Sequence, residues 1–242
     1  MSINAKIFQV LEELPFGVRL LMVWKGIKAA PARRRAVGHR AVVSSTVKVV
    51  GWNRLKVGDY TVVCDDTWFI ANHTHPSIFI GNHCYIGLRN FFTCGARIAL
   101  GDFTLTAPNC CFLGAHHNYA DPWVPQAAAP VTSDGVIETG VNCSFGAGAI
   151  ILADSKIGHG SMIGAGSVVR GIIPPFSVVV GNPGRVIKRF DFVRREWVRT
   201  SEFRPELEGN LPDEESYRTV LEKKFPRMRS FPGYTSRSYG NT

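Results

Sequence analysis

Large apolar residues recur at intervals of six along the middle of the chain, and this spacing is the strongest constraint on its fold. Thirteen of the fifteen positions at this interval carry such a side chain. The positions are Val57, Val63, Phe69, Ile80, Ile86, Phe92, Leu100, Thr106, Phe112, Thr139, Phe145, Ile151, Ile157, Ile163 and Val169. A period of six fits neither the 3.6-residue repeat of an α-helix nor the two-residue repeat of an ordinary strand.

Small residues follow this repeat in phase. Cys143, Ala149, Ser155, Ser161 and Ser167 each stand four residues after a position of the repeat. We therefore expect a prism of short parallel strands, in which each six-residue edge buries one large side chain and then turns a corner that admits a small one. Glycine is expected where a corner needs positive φ or close backbone approach. With three edges in a coil, the fifteen edges predict about five coils. A sandwich with accidental spacing is disfavoured, because four residue classes keep phase over thirty residues.

The rest of the chain divides around this prism. Residues 1–40 carry apolar residues at helical spacing followed by arginines, and we interpret them as a helical cap over the open end of the prism. An amphipathic anchor at a membrane surface is the alternative. Residues 41–190 form the predicted β-helix, and 191–242 a tail in which Asp213 caps a helix that stops before Pro226. The fold class is all-β with helical ends.

Composition narrows the environment and the partners. The six cysteines show no CxxC pair, and Cys84, Cys110 and Cys143 occupy the small corner position of the repeat. We expect no signal peptide, because the apolar run from Leu20 to Trp24 is short and has no small-residue cleavage site after it. A reducing, cytoplasmic location is expected, with contact at the inner face of the membrane as an option. The net charge is +9, with one basic cluster after the first segment and another after the last coil. No nucleic-acid module is visible, so phosphates of a small cofactor or an anionic membrane face are the preferred partners over nucleic acid.

The repeat slips briefly after Phe69 and after Phe92, and it is interrupted for much longer after Phe112. Between Phe112 and Thr139 the apolar spacing lapses, and a loop at 118–135 follows a pair of histidines. The polar and aromatic residues here are His116, His117, Tyr119, Asp121 and Trp123. Long loops in compact repeat proteins are usually functional, and this one offers a titratable base beside an apolar wall. Adjacent side chains of an extended segment point to opposite faces, so only one histidine is expected to reach a given reactive atom.

The runs "FGAGAIILADSKIGHGSMIGAGSVV" and "IPPFSVVVGNPGRVIKRF" resemble the hexapeptide-repeat acetyltransferases, in the branch of galactoside, maltose and surface-glycan O-acetyltransferases. The segments "LGDFTLTAPNCCF" and "HNYADP" match the same branch. The resemblance covers residues 57–190. It implies a left-handed β-helix, against the usual right-handed crossover. It also implies a homotrimer that binds acetyl coenzyme A between neighbouring prisms.

In the register of that family His117 matches the catalytic base. The resemblance further implies that Ala147 and Ala165 line the cofactor groove and that Arg170, Arg185 and Lys188 lie near its nucleotide end. The implied reaction is direct acetyl transfer to a sugar hydroxyl, with no metal. His116, Tyr119, Asp121 and Trp123 are then expected to contact the acceptor.

Several details remain open at this level. The group that orients His117 is Asp121, Glu138 or a backbone carbonyl. A backbone N–H between Gly146 and Gly148 is the expected oxyanion donor. The sugar-gripping asparagine and aspartate of the galactoside branch fall on Gly87 and Gly95, and its valine and tryptophan on Cys143 and Ser144. A larger or nucleotide-linked sugar, such as a surface-polysaccharide precursor, is therefore favoured over a free galactoside.

Four other functions are weighed. An N-acetyltransferase of an amino sugar would use the same machinery, and a non-catalytic β-helix scaffold is the alternative from another class. A zinc carbonic anhydrase is disfavoured, because the histidines lack the spacing to converge on a metal; they are His73, His75, His83, His116 and His117. Covalent catalysis by Cys111 is disfavoured for want of a visible activating cation.

Overall fold

The chain forms a left-handed parallel β-solenoid of about seven turns with few helices, which confirms the predicted fold class. The computed structural model describes residues 31–71, 77–131 and 134–226. Neighbouring strands of the solenoid are parallel and in register, so equivalent residues of successive coils lie directly above one another.

The solenoid has three faces. Face 1 consists of β1 (Val42–Val43), β4 (Val62–Val63), β7 (Tyr85–Ile86), β10 (Leu105–Thr106), β13 (Ser144–Phe145), β15 (Met162–Ile163) and β17 (Ser177–Val180). Face 2 consists of β2 (Lys48–Val50), β5 (Trp68–Ile70), β8 (Phe91–Thr93), β11 (Cys111–Leu113) and the first halves of β14 (Ile150–Ile157) and β16 (Val168–Ile173). Face 3 consists of β3 (Leu55–Val57), β6 (Ile78–Ile80), β9 (Arg97–Leu100), β12 (Val136–Thr139) and the second halves of β14 and β16.

The apolar positions of the repeat point inward and form the core. In-register strands about 4.8 Å apart stack identical side chains at ring-stacking distance. Phe69 accordingly lies 4.7 Å from Phe92, and Phe92 lies 4.6 Å from Phe112, between ring centroids. All three side chains are fully buried. The repeat therefore marks a buried residue in each strand from β3 to β16, including the strand β11 that leads into the long loop.

The glycines behind the apolar positions serve close approach rather than positive φ. A Cβ at Gly146 would lie 2.4 Å from the nitrogen of Ala165 in the next coil. Positive φ occurs further along the corners and is mostly carried by other residues, for example Tyr60, Phe103 and Asn142. The expected role of glycine is thus confirmed for close backbone approach at this corner. The positive φ values, by contrast, are found mostly at residues other than glycine.

The solenoid has more coils than the five predicted. Its first coil buries Leu55 and partly buries Val43 and Val49, which keep the six-residue spacing but precede the stretch used for the prediction. At the other end Ile173 and Val179 extend the core past Val169. The repeat therefore begins earlier and ends later than its most regular part.

The C-terminal part closes the last coil. The strands β18 (Arg185–Asp191) and β19 (Glu196–Arg199) continue from β17 as antiparallel neighbours, followed by 3-10 turns at Thr200–Glu202 and Pro205–Asn210. A further 3-10 turn lies at Trp52–Arg54. The helix α1 (Glu214–Lys224) begins at its predicted cap, where the Asp213 side chain accepts a hydrogen bond from the Ser216 N–H at 2.9 Å.

The helix α1 packs on the corner between face 3 and the face 1 of the next coil. Glu214 accepts a hydrogen bond from the Val141 N–H at 3.0 Å, and Tyr217 bonds Asn142. At the other end of the chain residues 31–36 are helical, while 1–30 of the predicted cap and 227–242 of the predicted tail lie outside the described residues. Within the described parts of the chain, no helix has the length and apolar character needed to cross a membrane.

Candidate active site

The long loop leaves and re-enters the solenoid at one point of the corner between faces 2 and 3, which we call the loop corner. The Gly114 N–H donates to Thr93 O at 2.7 Å, and the Ala96 N–H donates to Gly135 O at 2.8 Å. A Cβ at Gly95 would lie 2.1 Å from Gly114 O and 2.6 Å from Gly135 O. Glycine is required there because both ends of the loop pass directly over it.

The first part of the loop pairs with its last part. His117 and Val131 form an antiparallel bridge, and the Asn118 N–H donates to Pro130 O at 2.8 Å. The side chain of Asn118 accepts a hydrogen bond from the Ala120 N–H at 2.9 Å. This pairing fixes the backbone of His117 relative to the solenoid, even though its side chain is exposed.

The imidazole of His117 is oriented by a backbone carbonyl. Its Nδ1 lies 2.9 Å from Ala129 O, and Ala129 is buried and held by a turn in which its N–H donates to Pro125 O at 3.1 Å. A carbonyl oxygen only accepts, so Nδ1 carries the proton in this bond. The other ring nitrogen, Nε2, is then unprotonated in the neutral ring and available as a base.

The other two candidates for orienting His117 are engaged elsewhere. Asp121 accepts a hydrogen bond from the Trp123 N–H at 2.9 Å, in a turn of the loop. Glu138 lies 3.3 Å from the guanidinium of Arg97 on face 3. Of the three groups that the sequence leaves open, the structure therefore selects the backbone carbonyl.

The remaining loop residues form an exposed group around the histidines. Nδ1 of His116 lies 3.0 Å from His117 O, and its ring centroid lies 5.7 Å from that of Tyr119. Tyr119 is 72% exposed and Trp123 is 92% exposed. The structure thus brings the predicted acceptor-contacting residues onto one loop, with two aromatic surfaces open to solvent.

Ala147 and Ala165 lie in adjacent coils at the corner between faces 1 and 2, which we call the ladder corner. The Gly166 N–H donates to Ala147 O at 2.9 Å, so the ladder corners of these two successive coils stack directly on each other. Both alanine side chains are exposed. This corner presents small side chains and backbone to solvent, which is the surface that an extended, amide-bearing chain can approach closely.

The backbone N–H groups of this corner differ in whether they donate a hydrogen bond within the protein. The Gly146 N–H donates to Ile163 O at 2.8 Å and the Gly148 N–H donates to Pro108 O at 3.0 Å. Within the described residues the Ala147 N–H makes no backbone hydrogen bond. Of the three groups in the expected oxyanion-donor segment, Ala147 is therefore the one whose N–H remains available.

The three predicted cations near the nucleotide end lie in different places. Arg185 begins β18 opposite Val180, where the chain continues the ladder corner beyond Ala165. Lys188 lies further along the same strand and lines an open groove of about 380 Å³ together with Arg199. Arg170 lies at the loop corner instead, 3.0 Å from Asp154. The structure groups Arg185 and Lys188 on one strand but not Arg170 with them.

His117 and Ala147 are far apart within one chain. They occupy the two corners that flank face 2, so a six-residue edge separates them, which spans roughly 15–20 Å. One chain therefore carries the base at one corner and the ladder at the other.

The structure also bears on the alternative chemistries. Burial raises the pKa of the Cys111 thiol, which disfavours its thiolate. Burial raises the pKa of Cys110 to about 11, despite backbone hydrogen bonds. His83 is stacked between the rings of Tyr60 and Phe103. No cluster of three metal-ligating side chains occurs in 31–71, 77–131 or 134–226, and His73 and His75 lie outside these ranges.

Sequence reasoning did not find Ala129. A backbone carbonyl carries no residue-type signal, and nothing in the loop sequence shows which segment returns to the histidine. The short run "PQAAAP" before Val131 is consistent with the turn that presents this carbonyl, but it names no residue.

Comparison with known proteins finds sequence similarity to proteins named acetyltransferases. No family model matches the chain. A probable acetyltransferase of Mycobacterium tuberculosis is 27% identical over 164 residues, which cover 66% of this chain and 51% of that protein. A putative acetyltransferase of Staphylococcus aureus is 35% identical over 125 residues, covering 48% and 56%. The chain thus spans about half the length of these curated relatives.

Solved structures share the fold. The N-acyltransferase AntD of Bacillus cereus, in a complex with dTDP-4-amino-4,6-dideoxyglucose and coenzyme A, superposes with a TM-score of 0.57 at 20% identity. The match covers 66% of this chain and 88% of AntD. At this identity the likeness concerns the fold alone. The solenoid and the acetyltransferase relatives together confirm the resemblance seen in the sequence: the chain has a left-handed β-helix fold and is similar to proteins named acetyltransferases.

Proposed function

We propose that the protein transfers an acetyl group from acetyl coenzyme A to a hydroxyl group of a sugar, with His117 as general base. The observation that carries this proposal is the hydrogen bond between His117 Nδ1 and Ala129 O, at 2.9 Å. It holds the ring in the tautomer whose Nε2 accepts a proton. A solvated loop histidine without a function has no need of a buried carbonyl partner.

The reaction follows from this arrangement. Nε2 of His117 removes the proton of the acceptor hydroxyl while the oxygen attacks the thioester carbonyl carbon. The negative charge that develops on the thioester oxygen is stabilised by the Ala147 N–H. The carbon–sulfur bond then breaks, and the proton on His117 passes to the thiolate of coenzyme A. The histidine is neutral again and no covalent enzyme intermediate forms.

The ladder corner suits the other substrate. The pantetheine arm of acetyl coenzyme A is extended and carries amides, and the exposed backbone at Ala147 and Ala165 allows it to lie against the protein. Arg185 lies at the end of this ladder and Lys188 on the same strand. We place the phosphates of the nucleotide there, because a 3′-phosphate requires cations that a backbone cannot supply. Arg170, paired with Asp154, is not required for this assignment.

The two halves of the site meet only between chains, so we propose a homotrimer. If the loop corner of one chain adjoins the ladder corner of its neighbour, face 2 of every chain is directed toward the three-fold axis. The outward side chains of face 2 support this arrangement, because all but Lys48, Thr93 and Arg170 are apolar. They are Val50, Trp68, Ile70, Phe91, Cys111, Leu113, Ile150, Leu152 and Val168.

Face 3 gives the contrast. Its outward positions include Lys56, Arg97, Glu138 and Lys156, which favour contact with water. An apolar sheet face of the size of face 2 is unusual on a monomer surface, and burying it against two copies removes it from water. The charge pattern thus supports face 2, and not face 3, as the face at the axis.

The acceptor is best matched by a bulky sugar. Tyr119 and Trp123 present large aromatic surfaces to solvent, and aromatic rings bind apolar faces of sugars well. His116 and Asp121 add polar groups on the same loop. Since Gly87 and Gly95 have no side chains to hold a small galactoside, we favour a nucleotide-linked sugar or a surface-polysaccharide precursor in the cytoplasm.

Transfer to an amino group is the second candidate. AntD is an N-acyltransferase whose structure contains a dTDP-linked amino sugar, and it shares the fold of this chain. The same base would remove a proton from a protonated amine or from the attacking nitrogen. Only the acceptor atom differs between the two reactions.

The test is release of coenzyme A thiol by the purified protein in the presence of acetyl coenzyme A and a panel of acceptors. The panel contains free sugars, nucleotide-linked sugars with hydroxyl or amino groups, and lipid-linked oligosaccharides. We expect release with a nucleotide- or lipid-linked sugar. Mild hydroxylamine cleaves an ester product and leaves an amide, which separates O-acetylation from N-acetylation. No release with any acceptor, from a trimeric protein, would favour a non-catalytic scaffold.

A further inference from the structure

The net positive charge of the chain is confined to the N-terminal part of its sequence. Residues 1–58 contain 11 Lys and Arg and 2 acidic residues, whereas residues 59–242 contain 17 of each. The whole net charge of +9 therefore resides in the first 58 residues. Charge segregation of this kind affects association rather than folding.

The described part of this region has no acidic residue at all. Residues 31–58 include the helical segment 31–36 and the first coil of the solenoid. They contain seven cations, Arg33, Arg34, Arg35, Arg40, Lys48, Arg54 and Lys56. All but Arg54 are exposed. We call these six exposed residues the basic end.

Within the described residues, no carboxylate neutralises the charges of the basic end. No ion pair between described residues involves any of them. By contrast, five arginines elsewhere in the described chain pair with carboxylates. They are Arg97, Arg170, Arg189, Arg194 and Arg218. The uncompensated charge therefore lies at the first coil, where it is available to a partner.

The structure holds these cations around the end of the prism. The Arg33 guanidinium donates to Val43 O at 3.2 Å and lies 5.6 Å from the ring centre of Trp52. The Lys56 ammonium donates to Arg35 O at 2.9 Å, which ties face 3 to the helical segment. Arg34 lies between Arg33 and Arg35 in the sequence and is exposed. Backbone partners fix the position of these side chains without cancelling their charge.

We propose that the basic end docks the protein on a membrane that contains anionic lipids. Four to eight clustered Lys and Arg on a surface provide the electrostatic attraction that such membranes require. Val42, on the same coil, is 52% exposed and adds an apolar contact at the interface. The sequence before residue 31 is apolar at helical spacing and has no acidic residue after Glu13. In a parallel trimer the three basic ends face the same side and bind together.

A membrane fits these observations better than a nucleic acid does. The aromatic rings next to the basic end are those of Trp52 and Tyr60, and both are in contact with cations. Arg33 lies over Trp52, and Arg40 lies 6.0 Å from the centre of the Tyr60 ring. They are therefore not presented as stacking platforms for bases. Binding to duplex or single-stranded oligonucleotides is the outcome that this proposal excludes.

Flotation of the full chain with lipid vesicles tests the proposal. We expect at least tenfold stronger binding to vesicles of phosphatidylcholine with 30% phosphatidylglycerol than to phosphatidylcholine alone at about 0.1 M salt. The preference should fall severalfold at about 0.5 M salt, because surface charges are screened. The triple variant Arg34→Gln/Arg35→Gln/Lys56→Gln should lose at least tenfold in binding.

The matched control removes three charges from the other end of the chain. Arg204→Gln/Lys223→Gln/Lys224→Gln changes exposed residues of the C-terminal part and should bind anionic vesicles like the native chain. Equal loss in both triple variants, or equal binding of the native chain to both kinds of vesicle, would overturn the proposal. Tighter binding to an oligonucleotide than to anionic vesicles at equal phosphate concentration would overturn it too. Acetyl transfer to a soluble acceptor does not depend on this surface, so the two proposals fail separately.

Discussion

The loop corner and the ladder corner flank the same face of the solenoid but contribute different kinds of groups. At the loop corner the candidate groups are side chains, and their positions depend on hydrogen bonds within a segment that does not repeat. At the ladder corner they are backbone atoms, positioned by the stacking of successive coils. The candidate catalytic side chains are thus positioned by hydrogen bonds within a loop, whereas the candidate substrate-binding backbone is positioned by the stacking of the repeat.

This difference predicts how each corner responds to substitution. A side chain at the loop corner can be removed without loss of the stability of the solenoid, because the loop is exposed and outside the core. At the ladder corner the side chains are already minimal, so activity is lost by adding atoms rather than by removing them.

The largest effect is expected from the histidine whose ring the loop orients. General-base catalysis contributes about 10² to 10⁴ in rate, so His117→Ala should lower kcat by at least that factor. His116→Ala should lose about tenfold or less, through acceptor positioning. Thiol release and thermal unfolding of both variants provide the measurement, and both should unfold like the native protein. Near-normal kcat in the His117 variant would refute its assignment as the base.

Substitutions on face 2 test the proposal that a trimer brings the loop corner of one chain to the ladder corner of the next. Phe91 and Phe79 are half-buried outward phenylalanines, the first on face 2 and the second on face 3. Phe91→Asp should place three charges at the proposed axis, dissociate the trimer and reduce activity at least about 100-fold. Phe79→Asp should leave the trimer intact. Sedimentation of both variants decides between the faces, and an active monomer of either would contradict a site shared between chains.

The ladder corner is tested by adding bulk. Ala165→Leu places three more carbons on an exposed corner, where the pantetheine arm is proposed to lie. We expect the apparent KM for acetyl coenzyme A to rise about tenfold with little change in stability. Ala99→Leu, on the outer side of face 3, is the control and should leave KM unchanged. Equal KM values in the two variants would place the cofactor elsewhere.

The two cations of β18, beyond the ladder corner, should affect the binding of acetyl coenzyme A and not the rate of acetyl transfer. Replacing both Arg185 and Lys188 by alanine is expected to raise the KM for acetyl coenzyme A about three- to tenfold with kcat nearly constant, because exposed charge pairs contribute about 0.2–1 kcal/mol each. The native enzyme should also prefer acetyl coenzyme A over its 3′-dephospho form. If both forms bind equally well, these cations do not contact the phosphate.

How far the sequence predicts the molecule differs between the two corners. The ladder corner follows from the repeat, because Gly146, Ala147 and Ala165 keep their phase with Phe145 and Ile163. The fold class and the helix cap at Asp213 were predictable for a similar reason, since local patterns determine them. The loop interrupts the repeat, and inside it only residue types, such as the histidine pair, carried information.

The conformation of the loop depends on contacts that sequence spacing does not encode. Nothing in the sequence indicates that Val131 pairs with His117 or that Ala129 is buried beneath it. Asp121 looks like the better partner for a histidine, because a carboxylate is the stronger acceptor. The structure uses it to cap the Trp123 N–H, since Asp two residues before an N–H favours a local turn.

The smallest effect is expected at Asp121, and it decides which group orients the base. Where an aspartate fixes the tautomer of a catalytic histidine, its replacement by asparagine lowers the kcat of the enzyme by about 10⁴. In this loop Asp121 only accepts a backbone hydrogen bond, and the amide oxygen of asparagine can accept it equally well. Asp121→Asn should therefore change kcat by less than about twofold. Asp121→Ala should cost about 0.5–1.5 kcal/mol of loop stability and a few-fold in KM for the acceptor. A loss of about 100-fold or more in Asp121→Asn, with unfolding unchanged, would assign the orienting role to the carboxylate and remove it from the Ala129 carbonyl.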